Sequence, residues 1–238
     1  MVRDTCKLLW RSRGHFLRRR NLRPPFPLHH GARRLELTGE GAGPAGAYWE
    51  VYIDDCYGLR ELAGHLALAV IVDVGANVGF FSCFARLVFP AARIVAYEPN
   101  PEAFELLEVN TRTAAIELHR AAVDRRDGVA RFDRGPDSTL GRLTSDGALE
   151  VKVVGTANLG GGVPIDLLKM DCEGGEWDIL ADRALLARTR FVVMEYHLTG
   201  GRSLEELERL FEEGGHRILR KTGKGAQFGF LASVRTAG

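Results

Sequence analysis

The chain has 238 residues, is 45% hydrophobic and carries a net charge of +1. That is enough apolar material for one sizeable core. It contains no run of about 18 apolar residues that would span a membrane, and no apolar signal segment opens it.

The charge is unevenly spread. Residues 1–34 hold ten Lys/Arg against Asp4 alone, which leaves 22 basic and 30 acidic residues, a net −8, in 35–238. Residues 1–34 therefore form a separate compositional unit. They read as a basic arm that is loosely packed or partly disordered, as a cap over an anionic substrate or carrier, or as an Arg-rich targeting segment. The "PPFP" at 24–27 breaks any helix begun before it. The rest, 35–238, reads as one domain.

After the arm, "AYWEVYI" (47–53) alternates like a strand and "ELAGHLALA" (61–69) reads as a short helix. "VIVDV" (70–74) is a short β-branched run expected of a buried strand. "GFFSCFARLVF" (79–89) has helical spacing and Pro90 stops it. "ARIVAYE" (92–98) is a second strand. Asn100 as N-cap and Pro101 at the first helical position open a helix over 100–113. "IELHRAAV" (116–123) is a third strand. "VARFDRG" and "ALEVKVV" read as an inserted hairpin. "IDLLKMD" (165–171) resumes the strands, followed by a helix at 176–187, a strand at 190–197, a helix at 203–214 and two closing strands at 216–221 and 226–233. Strands alternating with helices predict a doubly wound, mostly parallel sheet covered on both faces. Cys6, Cys56, Cys83 and Cys172 make no C-x-x-C pair, so neither a disulfide framework nor a zinc site is expected, and a reduced, cytoplasmic setting is.

The chemistry concentrates at "VDVGANVGFFS" (72–82), where the first buried strand ends and a helix begins. Ligands of open α/β sheets sit beyond such strand ends. Gly75 and Gly79 allow close backbone approach, and the helix-start N–H groups are donors. The spacing is not G-x-G-x-x-G: Asn77 and Phe80 stand where its second and third glycines belong. An acid at Asp73 suits a ligand with positive charge or amine donors, as S-adenosylmethionine has, better than a pyrophosphate. Glu98 ends the second strand, where an acid accepts both hydroxyls of a ribose.

"DVGANVGFFS", "YEPNPEAFELLEVN", "AAVDRRDG", "LLKMDCEGGEWDIL" and "MEYH" together resemble the FkbM family of S-adenosylmethionine-dependent methyltransferases, over about residues 48–220. The resemblance implies a class I methyltransferase fold: seven strands, mostly parallel, the last antiparallel, with the hairpin inserted between the third and fourth core strands. It implies that Asp73, Gly75, Asn77 and Gly79 form the first cofactor loop and that Glu98 holds the ribose. Pro99, Asn100, Ala122, Val123 and Asp124 then border the adenine. Tyr57, in "DDCYG", is similar to a tyrosine found upstream of the first strand in that family.

Four carboxylates crowd "DCEGGEWD". Glu176 and Asp178 open a helix, where its dipole favours acids. Asp171, Glu173, Glu195 and His197 gather at strand ends, facing where a methyl acceptor would bind. Two deprotonation schemes follow. His197 takes a hydroxyl proton directly, or Asp171 and Glu195 hold Mg2+, which lowers the acceptor's pKa; the metal-free scheme is favoured here. Ser138 and Thr139 are polar candidates to touch the acceptor. The expected reaction is O-methylation of a small-molecule hydroxyl on a sugar, polyketide or other secondary metabolite. The alternatives are a carrier-bound, peptide or other macromolecular acceptor docked by the arm, and a non-catalytic cofactor-binding module. The −8 body with few aromatics argues against nucleic acid as a partner.

Overall fold

The structure, a computed structural model, describes residues 22–135, 141–223 and 227–236. It opens with an antiparallel hairpin, β1 (Phe26–His30) and β2 (Arg33–Leu37). The hairpin straddles position 34, and Leu22, Phe26 and Leu28 are buried in the main core. The described part of the basic segment is thus packed, not loose. Asn110 ties it down: its side chain donates to the Thr38 carbonyl (2.9 Å) and accepts the Thr38 N–H (2.8 Å).

Helix α1 (Ala42–Ala47) runs into a π-helical segment, Tyr48–Asp54. The strand expected over 47–53 is therefore helical. Residues 48 and 52, and 49 and 53, are apolar at helical spacing as well, and all four are buried. Packing decides between the two periods. Tyr48 and Tyr52 stack at 5.4 Å, and Tyr52 meets Phe84 edge-on at 5.3 Å. A helix α2 (Leu59–Ala63) follows, shorter than expected.

The α/β alternation then follows the expected order: β3 (Val70–Val74), α3 (Phe80–Val88), β4 (Arg93–Tyr97) and α4 (Pro101–Thr111), with Asn100 accepting the Glu102 N–H as its N-cap. The expected third strand splits. β5 (Glu117–His119) pairs with β4, whereas β6 (Ala122–Asp124) leaves for a second, four-stranded sheet with β7 (Gly128–Asp133), β8 (Arg142–Leu143) and β9 (Leu149–Gly155). The antiparallel pairing of β7 with β9 is the expected inserted hairpin. β10 (Ile165–Met170) returns to the main sheet. The helix expected over 176–187 is two, α5 (Glu176–Leu180) and α6 (Arg183–Ala187). Asp182 breaks it by accepting the Ala184 and Leu185 N–H groups and so capping α6. β11 (Thr189–His197), α7 (Leu204–Glu213), β12 (His216–Gly223) and β13 (Phe228–Arg235) complete the chain.

The main sheet is ordered β12-β13-β11-β10-β3-β4-β5, and β13 runs against both of its neighbours. This is the class I methyltransferase topology. Both faces are buried: Ile71, Ile94, Leu167 and Val193 pack towards the N-terminal aromatics, and Val72, Val95, Leu168 and Val192 pack towards α5–α7. Strand order reverses between β3 and β10, so their carboxyl ends lie side by side. Among the described residues, no helix is long and apolar enough to cross a membrane.

Candidate functional site

Gly75 follows β3 with φ +74°, and a Cβ there would stand 1.8 Å from the Asp171 carbonyl oxygen. The two strand ends touch backbone to backbone, so glycine is required for the approach between strands rather than for ligand space. Gly79 (φ +95°) begins α3, and a Cβ there would meet Leu107 at 2.8 Å. Its requirement is packing against α4.

Asp73 lies beneath this loop and is fully buried. It accepts the Ser82 hydroxyl (2.6 Å) and pairs with Lys169 Nζ (3.0 Å). Lys169 also donates to the Gly75 carbonyl (2.6 Å) and lies over the Tyr57 and Phe81 rings. Burial works against the ammonium, but Asp73 and Asp171 outweigh it and the Lys169 pKa is raised. The aspartate expected to meet a cationic ligand is thus neutralised by a lysine of the next strand.

A cavity of about 700 Å3 opens above these strand ends. One wall holds Gly75, Asn77, Glu98 and Pro99, continued by Ala122, Val123 and Asp124. Glu98 is buried and accepts the N–H groups of Asn77 (2.7 Å) and Asn100 (2.8 Å). Burial lifts its pKa to about 7, against the pull of those two N–H groups and Lys169. Asn77 has φ +50°, and its buried Oδ1 has no partner among the described residues. Asn100 is buried behind the wall as the α4 cap, and neither it nor Asp73, Gly79 or Tyr57 lines the cavity.

The opposite wall holds Asp171, Glu173 and Glu195, with Gly174 and Thr199. Tyr57 donates its hydroxyl to Asp171 Oδ2 (3.1 Å). Burial first, then the Asp171 charge, pushes that phenol well above its usual range, so it stays a donor. Burial likewise keeps Cys172 a neutral thiol. Glu176 is 1% exposed. Its carboxylate accepts the Cys172 N–H (3.1 Å) and the Gly174 N–H (2.9 Å), and lies 3.1 Å from His197 Nδ1. His197 Nε2 faces Glu173 Oε2 at 3.5 Å, and the ring lies behind the wall rather than in it. Burial opposes a charge on this ring, yet the Glu176 hydrogen bond and the carboxylates of Glu176, Glu173 and Asp171 lift its pKa to about 9.

Sequence reasoning missed several residues. Lys169 is the one basic residue in the strand IDLLKM, which could have pointed to a buried counter-ion. Gly46 and Glu50, from the helical N-terminal segment, close one side of the cavity, while Phe132, Arg142 and Thr144 of the small sheet close another. Nothing in the local sequence marks these. Ser138 and Thr139 lie outside the described residues.

The profile of the "Methyltransferase FkbM domain" matches residues 73–218, which run from the buried acid of β3 into β12. The chain is 29% identical to the 31-O-demethyl-FK506 methyltransferase FkbM of Streptomyces tacrolimicus, covering 80% of this chain and 90% of that protein. It is 27% identical to the hexuronic acid methyltransferase AglP of Haloferax volcanii, covering 74% and 80%. It is 28% identical to the methyltransferase sdnD of Sordaria araneosa, covering 79% and 88%. With the sheet order, the glycine-bearing strand-to-helix turn and a match over most of the sheet, the chain belongs to the FkbM methyltransferase family.

Proposed function

We propose that this chain transfers the methyl group of S-adenosylmethionine to a hydroxyl of a small-molecule acceptor. The carrying observation is a cavity whose walls differ in kind. One offers glycine backbone, an Asn77 Oδ1 with no partner among the described residues and a ribose-type acid, and the other offers carboxylates. Its volume lies in the ordinary range of small-molecule sites. Glu98 would accept the ribose hydroxyls through lone pairs that its two backbone partners leave over. Val123 and Asp124 would border the adenine. Asn77 Oδ1 would accept a hydrogen bond from the cofactor.

The cofactor, when bound, supplies a methyl group already activated on a sulfonium. The protein then has to hold an acceptor oxygen in line with it and receive a proton. As the methyl group passed from sulfonium to the acceptor oxygen, the hydroxyl proton would leave to a carboxylate of the acceptor wall. We assign that role to Glu195. Asp171 already accepts the Tyr57 hydroxyl and lies by Lys169. Both nitrogens of His197 face carboxylates, Glu173 and Glu176, and the ring does not line the cavity, which argues against the direct base role expected for it.

The deciding experiment is calorimetric titration of the full chain with S-adenosylhomocysteine, then label transfer from S-adenosylmethionine to a panel of hydroxylated metabolites. Micromolar binding is expected, with NAD inert. Failure to bind either cofactor form would overturn the reading. A truncation beginning at residue 22, which keeps the buried hairpin, tests the macromolecular alternative. Loss of transfer to a tethered acceptor alone would favour docking by the removed segment.

A further inference from the structure

We propose that Asp171, Glu173 and His197 form a binding site for one divalent cation, of the Mn2+ class, at the acceptor end of the cavity. One ligand atom from each lies within 4.8 Å of the other two. Atoms bound at about 2.0–2.6 Å to a shared ion lie at most about 5 Å apart, so a small closing movement suffices. One imidazole nitrogen with two carboxylates suits a borderline first-row cation better than a purely hard one. The cation scheme read from sequence placed Asp171 with Glu195. The proposed site keeps Asp171, takes Glu173 in place of Glu195 and adds His197.

Each ligand is oriented from behind. Tyr57 holds Asp171 by Oδ2. Glu176, inaccessible to solvent, faces His197 Nδ1, which directs Nε2 towards Glu173. A ring held at one nitrogen by a buried carboxylate, with the other aimed at further ligands, is the arrangement that accompanies metal-binding histidines. The same Glu176 carboxylate holds the amides on either side of Glu173, whose φ of +52° turns it towards the ring. The Trp177 indole donates to the His197 carbonyl (2.9 Å) and fixes that strand end. The surrounding charge agrees: Glu50, Asp171, Glu173, Asp178 and Glu195 line the cavity, against Arg142 as the one basic side chain among the described lining residues.

On binding, the ring keeps its Nδ1 proton towards Glu176 and releases any Nε2 proton to solvent. The further consequence rests on the methyl-transfer reading. The cation would take the acceptor oxygen and ease loss of its proton to Glu195.

The test titrates MnCl2 alone into the full-length, chelator-treated chain, followed by calorimetry and by the loss of the free-Mn2+ spin-resonance signal. About one ion per chain is expected in the micromolar range. Asp171→Asn, His197→Gln and Glu176→Gln should each weaken it by about tenfold or more, and Glu212→Gln, exposed and outside the cavity lining, should leave it within about twofold. Pulsed resonance on the wild-type chain keeps the proposal falsifiable where a variant fails to fold, because bound Mn2+ should show coupling to one imidazole nitrogen. Absence of binding at millimolar Mn2+, absence of that coupling, or equal affinity in all variants overturns the site. Titrating S-adenosylhomocysteine into the same sample separates the two readings. Cofactor binding without Mn2+ sinks only the cation site, and Mn2+ binding without cofactor sinks only the methyl-transfer reading.

Discussion

The loop after β3 and the loop after β10 lie side by side at the reversal of the sheet, and they are held by opposite means. The first is fixed from below: Asp73, Ser82 and Lys169 form a buried cluster, Lys169 grips the Gly75 carbonyl, and Gly75 abuts the Asp171 backbone. Its side chains are spent on structure, which leaves backbone, Asn77 and Glu98 to face the cavity. The second is fixed from behind by one carboxylate, Glu176, and turns its side chains inward. A site for an invariant cofactor can be written in backbone, whereas a site for a particular acceptor needs variable side chains. The first loop should therefore be intolerant for the fold, and the second should tolerate change in stability while losing turnover.

The severest break is Gly75→Ala. It combines a backbone clash with a non-glycine residue at positive φ, each costing about 1–3 kcal/mol. Urea denaturation should show a loss of about 4 kcal/mol or failure to fold. A normal midpoint would show that the strand ends separate easily. Next comes Lys169→Met, which strands Asp73 as a buried charge. A loss of about 3–5 kcal/mol is expected, and Asp73→Asn in the same chain should return part of it. If Lys169→Met alone melts like wild type, the cluster does not hold the loop.

On the second loop, Glu195→Gln should lower turnover of a hydroxyl acceptor by about 10²-fold while stability and cofactor affinity stay near wild type. An equal loss of cofactor affinity would erase the division of labour between the loops. Glu98→Gln should weaken S-adenosylhomocysteine binding by about 1–3 kcal/mol, and because its amide NH2 would face the N–H of Asn77 or Asn100 it should also lower stability.

The smallest effect is the pH dependence of that binding. Glu98 has its folded pKa raised from 4.5 to about 7. The folded chain therefore keeps a proton that the unfolded chain has lost, and this group's contribution to stability falls as pH rises from about 4.5 through 7. Cofactor binding runs the other way, because the carboxylate is the better acceptor for ribose hydroxyls. Affinity should rise severalfold between pH 6 and 8, by up to about tenfold per pH unit below 7, and flatten in Glu98→Gln. A flat wild-type profile would remove Glu98 from the ribose.

The local sequence determined the strand–turn–helix over 70–88, the Asn100-capped helix, the alternation that makes the sheet and the family it resembles. Each rests on short-range chemistry: β-branched runs, a glycine where φ must be positive, a cap followed by proline. That Glu98, Asp171 and Glu195 line the cavity was legible for the same reason, since strand ends of an α/β sheet gather at one edge, and Asn77 was given by the family resemblance. The tertiary structure alone decided the rest. It turned 47–53 from strand to helix, because the aromatic packing against α3 selects one of two available periods. It split 116–123 between two sheets, because β9 offers β6 a partner. It gave Asp73 to Lys169 through the register of β10 on β3, and His197 to Glu176 through the packing of α5 against the end of β11. Those pairings fix which charges are spent beneath the site and which face it, and no local pattern of residues encodes them.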